Sequence, residues 1–342
     1  MKTRKPKILL VGGGTLGSVS PLLAIAQKCE AEYLFVGSET GPEKKIIEAH
    51  NIDFRFIKSG KLRRYWSWQN FTDIFKIKIA FWQSIFIILK FKPDIILTAG
   101  SFVAVPMAWA GWLLRVPVIV HQQDIIVGLA NKLMAPFAKK ITVSFPEQRK
   151  GFKHKKVLVT GNPARQLETN VIEYRPIVVI TGGGQGARGM NEFIMQFIPK
   201  LSEHYEVHHI LGKSNYDQKL NLENYFAYKE VVGSMLTLLA RAEIIISRAG
   251  MSLITEAASL KKALVLIPMP DSHQERNAAF FAKNNAAIMV KQGSDKIMSR
   301  YLDKLMRHAN LRSGLADNLY NLYPHNAVND YIILINKIIY KK

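Results

Sequence analysis

Apolar residues gather in short runs separated by helix-length stretches: 8–11, 33–36, 95–97, 116–120 and 141–144, then 177–181, 206–211, 244–247 and 263–267. Runs of this length, bounded by glycine and turn residues, read as strands buried on both faces. Their alternation with helical segments predicts parallel sheets covered by helices. The pattern comes in two series, each opening with a glycine-rich turn: Gly12-Gly13-Gly14-Thr15-Leu16-Gly17 in the first and Gly182-Gly183-Gly184-Gln185-Gly186-Ala187 in the second. The expected fold class is α/β, with two Rossmann-like doubly wound parallel-sheet domains facing one another. The expected divisions are 1–162, 163–325 and a C-terminal helix, 326–342, that packs back on the first domain. The join falls near Gly161-Asn162-Pro163, a turn-forming triplet.

One segment, 61–92, departs from the alternation. Between Ile79 and Leu89 only Gln83 and Ser84 are polar, and Phe71, Ile74, Ile77, Phe81, Ile85 and Ile88 keep helical spacing. A spanning helix needs about 20 apolar residues, so this one is too short to cross a bilayer. Two readings stay open. One is a buried helix of the first domain. The other is a helix lying among lipid headgroups, suited by Trp66, Trp68, Phe75, Trp82 and Phe86 interleaved with Arg63, Arg64, Lys76, Lys78, Lys90 and Lys92.

Charge changes the picture toward anionic partners. Forty-seven Lys and Arg against 26 Asp and Glu leave a formal net charge of +21 in 342 residues, enough to attract nucleic acid, anionic lipid or phosphorylated ligands. Zinc spacings, an RRM-type aromatic signature and a Walker A loop are all missing from the sequence, so nucleic acid is not an expected partner. The single Cys29 excludes an internal disulfide, and the basic start fits no secretory signal. A cytosolic location is expected.

Gly12-x-Gly14-x-x-Gly17, followed by Glu39 after the next run, matches a dinucleotide fingerprint. The second turn matches too but has no acid at the end of its next strand. A phosphate-binding turn in each domain suits two phosphorylated ligands, although such turns also occur in this fold without a ligand. Downstream, Glu256 sits early in a helix that follows a glycine turn, where it suits either a ribose diol or an ordinary helix N-terminal charge. His273, Gln274 and Asn277 offer uncharged hydrogen-bonding groups of the kind sugars require, and loop polarity explains them equally well.

Several motifs in order carry a resemblance. They are the opening glycine turn, Gly100-Ser101-Phe102-Val103, His121-Gln122-Gln123-Asp124 with Gly128-Leu129-Ala130-Asn131-Lys132, Gly161-Asn162-Pro163-Ala164-Arg165, Gly183 to Arg188, Ser247 to Glu256, and His273-Gln274-Glu275-Arg276-Asn277. Over nearly the whole chain the sequence resembles the MurG family. Its members transfer N-acetylglucosamine from UDP to the 4-hydroxyl of a polyprenyl-diphosphate-linked muramoyl-pentapeptide, with inversion, in peptidoglycan synthesis. The resemblance implies the GT-B architecture with a cleft between domains, and a peripheral enzyme on the cytoplasmic face of the bacterial plasma membrane, drawn to its anionic surface. It assigns UDP-GlcNAc to Thr15, Gly17, Asn131, Arg165, Gly184, Gln185, Gly186, Val232, Met235, Glu256, His273, Gln274 and Asn277. Within that set Arg165 and the amides after Gly184 meet the diphosphate, Val232 and Met235 line the uracil pocket, and Glu256 binds ribose. Gly13, Gly14, Thr15 and Gly17 cradle the acceptor diphosphate. The chain has no Asp-x-Asp motif, and neither metal nor other cofactor is expected.

The chain departs from the family at the acceptor turn. Where the family has Gly-Gly-Thr-Gly-Gly-His, this sequence has Gly13-Gly14-Thr15-Leu16-Gly17-Ser18, and His-Glu-Gln-Asn is replaced by His121-Gln122-Gln123-Asp124. If the second segment is extended, residues 122 and 124 project to one side, so the lost carboxylate is expected to reappear at Asp124. The catalytic candidates are therefore Asp124 as base, His121 as its partner or substitute, and Ser18, with helix capping as the other reading of Asp124. Alternative functions are transfer to another lipid such as diacylglycerol, a silent UDP-GlcNAc-binding membrane scaffold, and an NAD-dependent dehydrogenase.

Overall fold

The computed structural model describes residues 4–58, 60, 69–153, 156–165, 176–184, 186–212, 220–230 and 235–340. Two compact units emerge, one of residues Met1–Ala164 with Pro324–Lys342, the other of Arg165–Tyr323.

The first unit carries β1 (Lys7–Val11), α1 (Ser20–Lys28), β2 (Glu32–Ser38), α2 (Glu43–Ala49), β3 (Asp53–Ile57), α3 (Gln69–Phe91), β4 (Ile95–Thr98), α4 (Ala104–Leu113), β5 (Val118–Gln122), α5 (Leu129–Met134), β6 (Lys140–Val143) and β7 (Val157–Val159). Its strands form a seven-stranded sheet of order β3-β2-β1-β4-β5-β6-β7, parallel at every pairing. Two apolar layers cover it. Leu9, Val11, Val36, Ile96 and Val120 pack toward α3, α4 and α5, while Ile8, Leu10, Phe35 and Ile119 pack toward α1 and the C-terminal helix.

The second unit carries β8 (Ile177–Thr181), α6 (Arg188–Met195), α7 (Ile198–Ser202), β9 (Glu206–Ile210), β10 (Tyr225–Tyr228), α8 (Met235–Arg241), β11 (Ala242–Ser247), α9 (Met251–Ser259), β12 (Ala263–Leu266), α10 (His273–Lys283), β13 (Ile288–Met289), α11 (Asp295–Arg307) and α12 (Ala309–Leu322). Its six-stranded sheet has the order β10-β9-β8-β11-β12-β13 and is again parallel throughout. The last helix, α13 (Ala327–Tyr340), returns to the first unit, where Tyr331, Leu334 and Ile335 join the layer against Ile8, Leu10 and Leu22.

Both sheets are doubly wound α/β sheets. In such sheets the loops at the carboxyl ends of neighbouring strands converge on one edge. In the first unit that edge gathers the loops after β1, β4 and β5. In the second it gathers those after β8, β11 and β12.

Candidate functional site

The first glycine turn is held by side chains. After β1 the chain runs through Gly14, at φ +78°, into a short 3-10 turn, Leu16–Ser18, ahead of α1. Ser18 is buried, accepting from the Gly13 amide at 3.1 Å and donating to the Thr15 carbonyl at 3.3 Å. Ser101 donates to the Gly13 carbonyl at 3.0 Å, and Gln123 Nε2 donates to Gly17 O and Ala99 O, both at 3.0 Å. Beneath the turn lies Glu43, fully buried, whose Oε1 accepts from the Ser38 amide at 2.7 Å and the Ser38 hydroxyl at 2.5 Å. A Cβ on Gly13 would fall 2.4 Å from that oxygen. Glu39, the acid of the dinucleotide fingerprint, is exposed just beyond β2, and Glu43 is the carboxylate that engages the strand end. Sequence reasoning missed Glu43 because a glutamate in the first turn of a helix ordinarily reads as a surface charge.

β5 ends at Gln122 and the chain bends at Asp124. The alternation expected to bring residues 122 and 124 to one side therefore stops short, which corrects the premise for a relocated carboxylate. Gln122 instead folds over the loop, donating to Asp124 O at 2.7 Å and Ile126 O at 3.1 Å and accepting from Asn131 Nδ2 at 2.6 Å. Gln148 Nε2 donates to the carbonyls of Gln123 and Asp124 at 2.9 and 2.7 Å. Gly128, not Asp124, caps α5, so the capping reading fails as well.

His121 points to the other face of the sheet. Its Nε2 lies 2.9 Å from Asn162 Oδ1, its Nδ1 lies 3.1 Å from Thr142 Oγ1, and Tyr331 of α13 meets its ring edge-on. Burial pushes the imidazole down to about 4, against the hydrogen bonds of Asn162 and Thr142 that favour its charged form. With both nitrogens engaged and the ring neutral, His121 is a satisfied core residue and lacks a nitrogen to serve as a substitute base.

The second glycine turn is more open. Gly183 stands at φ +88° with nothing within 4 Å of a Cβ placed on it, and the Gly186 amide closes the turn on the Gly183 carbonyl at 2.9 Å. Gly184 is exposed, and Met235 opens α8 half-buried. Gln185, Val232, Trp66 and Trp68 lie outside the described residues. After the neighbouring strand β11, Glu256 lies in the second turn of α9, beyond the helix N-terminal charge position, and is buried. Arg165 donates to its Oε1 through Nε at 2.9 Å and Nη2 at 2.7 Å. Asn277 is fully buried and donates to Ala249 O at 3.1 Å, tying α10 to the turn before α9. Gln274 Oε1 accepts from the Met269 amide at 3.1 Å, while His273 is exposed at the start of α10.

Sequence reasoning did not single out Arg248. Its Nη1 donates to the carbonyls of Ile267 and Pro268 at 3.1 and 2.8 Å, and its Nη2 donates to Gln292 Oε1 at 3.0 Å. It thereby fixes the loop after β12 to the one after β11. Its place beside Ser247 in a quoted motif was the available signal.

On α3 the buried-helix reading holds for one face, and the opposite face is exposed. Ala80, Ser84, Ile87 and Ile88 are buried, whereas Phe75, Trp82 and Phe86 are 67%, 69% and 63% exposed and share a face with Ile79 and Leu89. Trp112 and Leu113 at the end of α4 are exposed as well. Lys76, Lys78 and Lys90 lie among them, and an open groove of about 800 Å³ between α3 and the edge strand β3 is lined by Phe54, Arg55, Phe56, Trp82 and Phe86. Among the described residues no helix is long and apolar enough to cross a membrane, and no group of His, Cys, Asp or Glu is placed to hold a metal ion.

The chain matches the glycosyltransferase family 28 N-terminal domain over residues 8–143 and the family 28 C-terminal domain over residues 177–316. A protein of Clostridium novyi named UDP-N-acetylglucosamine–N-acetylmuramyl-(pentapeptide) pyrophosphoryl-undecaprenol N-acetylglucosamine transferase is 35% identical, with 99% of each chain covered. Its namesake from Clostridium kluyveri is 36% identical over 97% of this chain and 99% of its own. The crystal structure of Acinetobacter baumannii MurG superposes with a TM-score of 0.73 at 23% identity, covering 97% of this chain and 99% of that one, so it shares the fold. The chain therefore belongs to glycosyltransferase family 28, together with the N-acetylglucosamine transferases that its full-length relatives are named for.

Proposed function

We propose that this protein transfers N-acetylglucosamine from UDP-GlcNAc to the 4-hydroxyl of polyprenyl-diphosphate-linked muramoyl-pentapeptide, the lipid I to lipid II step of peptidoglycan synthesis. The observation that carries the reading is the donor half. An open glycine turn, a buried carboxylate and the amide side chains of α10 follow strands β8, β11 and β12, adjacent in one sheet, in a chain whose full-length relatives bear that activity in their name.

In this reading Gly184 and Gly186, with the N-terminus of α6, receive the diphosphate. The first amides of α6 and the partial positive charge of the helix start stabilise the charge that UDP gains as it leaves. Met235 packs on the uracil, Glu256 takes the ribose diol, and His273, Gln274 and Asn277 read the sugar. The first turn, at Gly13, Gly14, Thr15 and Gly17, holds the acceptor diphosphate, with Asn131 behind it.

Asp124 is the catalytic base. Of the three candidates Ser18 is committed to the turn and His121 to the core, which leaves this carboxylate. It takes the proton of the 4-hydroxyl as the oxygen bonds to C1 of the sugar, and the C1–O bond to UDP breaks with its electron pair leaving on the diphosphate. The apolar face of α3, ringed by lysines, docks the enzyme on the anionic cytoplasmic face of the bacterial plasma membrane. Anionic lipid contributes about 1 kcal/mol for each nearby Lys or Arg.

The test is UDP release from UDP-GlcNAc by the purified chain, with and without a lipid-linked muramoyl-pentapeptide analogue, alongside sedimentation with phosphatidylglycerol vesicles. Acceptor-dependent release and vesicle binding lost in Trp82→Ser/Phe86→Ser are expected. Release that requires diacylglycerol instead, or UDP-GlcNAc binding with no turnover on any acceptor, overturns the assignment.

A further inference from the structure

We infer that Arg165 is a positioning residue that acts through Glu256, holding this buried carboxylate aimed to accept the ribose hydroxyls of the sugar nucleotide. The inference rests on the reading of the second unit as the UDP-GlcNAc site, and it moves Arg165 from the diphosphate, where the family resemblance puts it, to the ribose.

Glu256 is only 4% exposed and lies past the first turn of α9, so neither water nor the helix N-terminus stabilises its charge. A carboxylate withdrawn from water needs a cation, and Arg165 supplies it. The guanidinium, with its side chain 28% exposed, closes over the carboxylate from the solvent side. Its Nε and Nη2 both donate to Oε1, at 2.9 and 2.7 Å. The contact is thus not the two-oxygen fork typical of arginine and carboxylate. It fills about two of the roughly four acceptor positions a carboxylate offers.

Two consequences follow from this geometry. Carboxylate oxygens accept hydrogen bonds, and a vicinal diol presents two donors, so holding Glu256 in a fixed orientation matches it to ribose. The edge of the guanidinium formed by Nε and Nη2, which suits a bidentate phosphate contact, is already occupied by Glu256. Without the arginine the carboxylate loses the two hydrogen bonds that hold Oε1 in place and is free to swing toward water, which removes the aimed acceptor.

The experiment measures binding of UDP-GlcNAc and of its 2′-deoxyribose counterpart by calorimetry to the full chain, to Arg165→Gln, Arg165→Lys and Glu256→Gln, and to the Arg165→Gln/Glu256→Gln double variant. The unsubstituted chain is expected to prefer the ribose form by roughly tenfold to a hundredfold, the worth of a hydrogen bond to a charged group. Arg165→Gln reduces that preference to less than about threefold, and the double variant loses no more than either single one, the signature of two groups acting as a unit. Arg165→Lys, which keeps the charge but not the fork, retains an intermediate preference. A general structural defect would weaken both ligands alike and leave the preference intact. If Arg165→Gln weakens both ligands equally, or abolishes the preference for UDP over UMP while ribose selection survives, Arg165 works on the diphosphate and the inference is overturned. Should Arg165→Gln fail to fold, an unchanged ribose preference in Arg165→Lys overturns it in the same way. A full chain that binds both sugar nucleotides equally removes the ribose role of Glu256, and one that is folded yet binds neither removes the donor-site reading itself.

Discussion

The two glycine turns occupy equivalent places in equivalent sheets, yet at the second glycine of each, Gly13 and Gly183, one is packed and the other open. Around the first, Glu43 presses on Gly13, the Phe102 ring sits 2.7 Å from where a Cβ on Gly14 would lie, and the side chains of Ser18, Ser101 and Gln123 hold the backbone. Around the second, Gly183 has open space beside it and Gly184 is exposed. The glycines are required for different reasons. Gly13 is there because there is no room, whereas Gly183 is there because φ is positive. The packed turn is also the one at which the sequence departs from its family. There the Ser18 hydroxyl closes the turn on itself, and the proposed reaction assigns proton transfer to another group.

The largest effect that would test this contrast is on turnover. If the first turn supplies only binding and Asp124 supplies the base, Asp124→Asn lowers kcat about 10²- to 10⁴-fold while UDP-GlcNAc affinity and the thermal melt stay near those of the parent. Steady-state kinetics with the lipid-linked acceptor analogue measure it. Turnover within threefold of the parent sinks the assignment and returns attention to the turn.

Legibility in the sequence followed burial. All the interior strands of both sheets announced themselves as apolar runs, and the strands that went unread, β3, β7, β10 and β13, are the four sheet edges. An edge strand is covered on fewer sides, so its residues need not be apolar. β3 has three exposed residues of five, and β7 has none fully buried. At β5 the expected run, 116–120, was set two residues early, because His121 and Gln122 read as loop polarity although hydrogen bonds let both be buried within the strand. The residues proposed for the donor site were legible for a related reason, since the glycines, Glu256 and Asn277 sit at the junctions of strongly patterned elements. Arg248 was not, because it acts on loops distant from its own element and no local spacing encodes that return, and Glu43 was not, because a glutamate in the first turn of a helix reads as a surface charge.

A smaller effect compares the two units under acid. Each sheet buries a histidine whose ring is strongly affected, His121 in β5 and His209 in β9, and burial pushes both down to about 4 from an ordinary 6.5. The unfolded chain takes up protons on these rings at higher pH than the folded one does. Their stabilisation is therefore complete above pH 6.5 and is lost as pH falls toward 4. A shift of this size corresponds to about 3 kcal/mol for each ring. Thermal melts between pH 7.5 and 4.5 are expected to fall steeply, and His121→Gln and His209→Gln each to flatten the slope by a comparable amount. A slope unchanged in both variants would show that other groups carry the acid sensitivity.

The smallest effect is the most direct test of packed against open. In Gly13→Ala the new methyl must displace a buried carboxylate and the Ser38 amide, which lies 2.9 Å from its position. Overpacking of this kind costs roughly 1–3 kcal/mol. Gly183→Ala meets no neighbour, so its cost is conformational alone, about 1–2 kcal/mol for a side chain held at positive φ. The two losses come close in size, and second substitutions separate them. Glu43→Ala makes room beside residue 13, so Gly13→Ala costs less in that background than in the parent, although Glu43→Ala is itself destabilising. Asn tolerates the left-handed region, so Gly183→Asn is milder than Gly183→Ala, a reversal that steric crowding alone would not produce. Denaturant titrations of these variants decide it. If Asn at 183 proves worse than Ala, the second turn is closed by neighbours after all, and the contrast between the two units disappears.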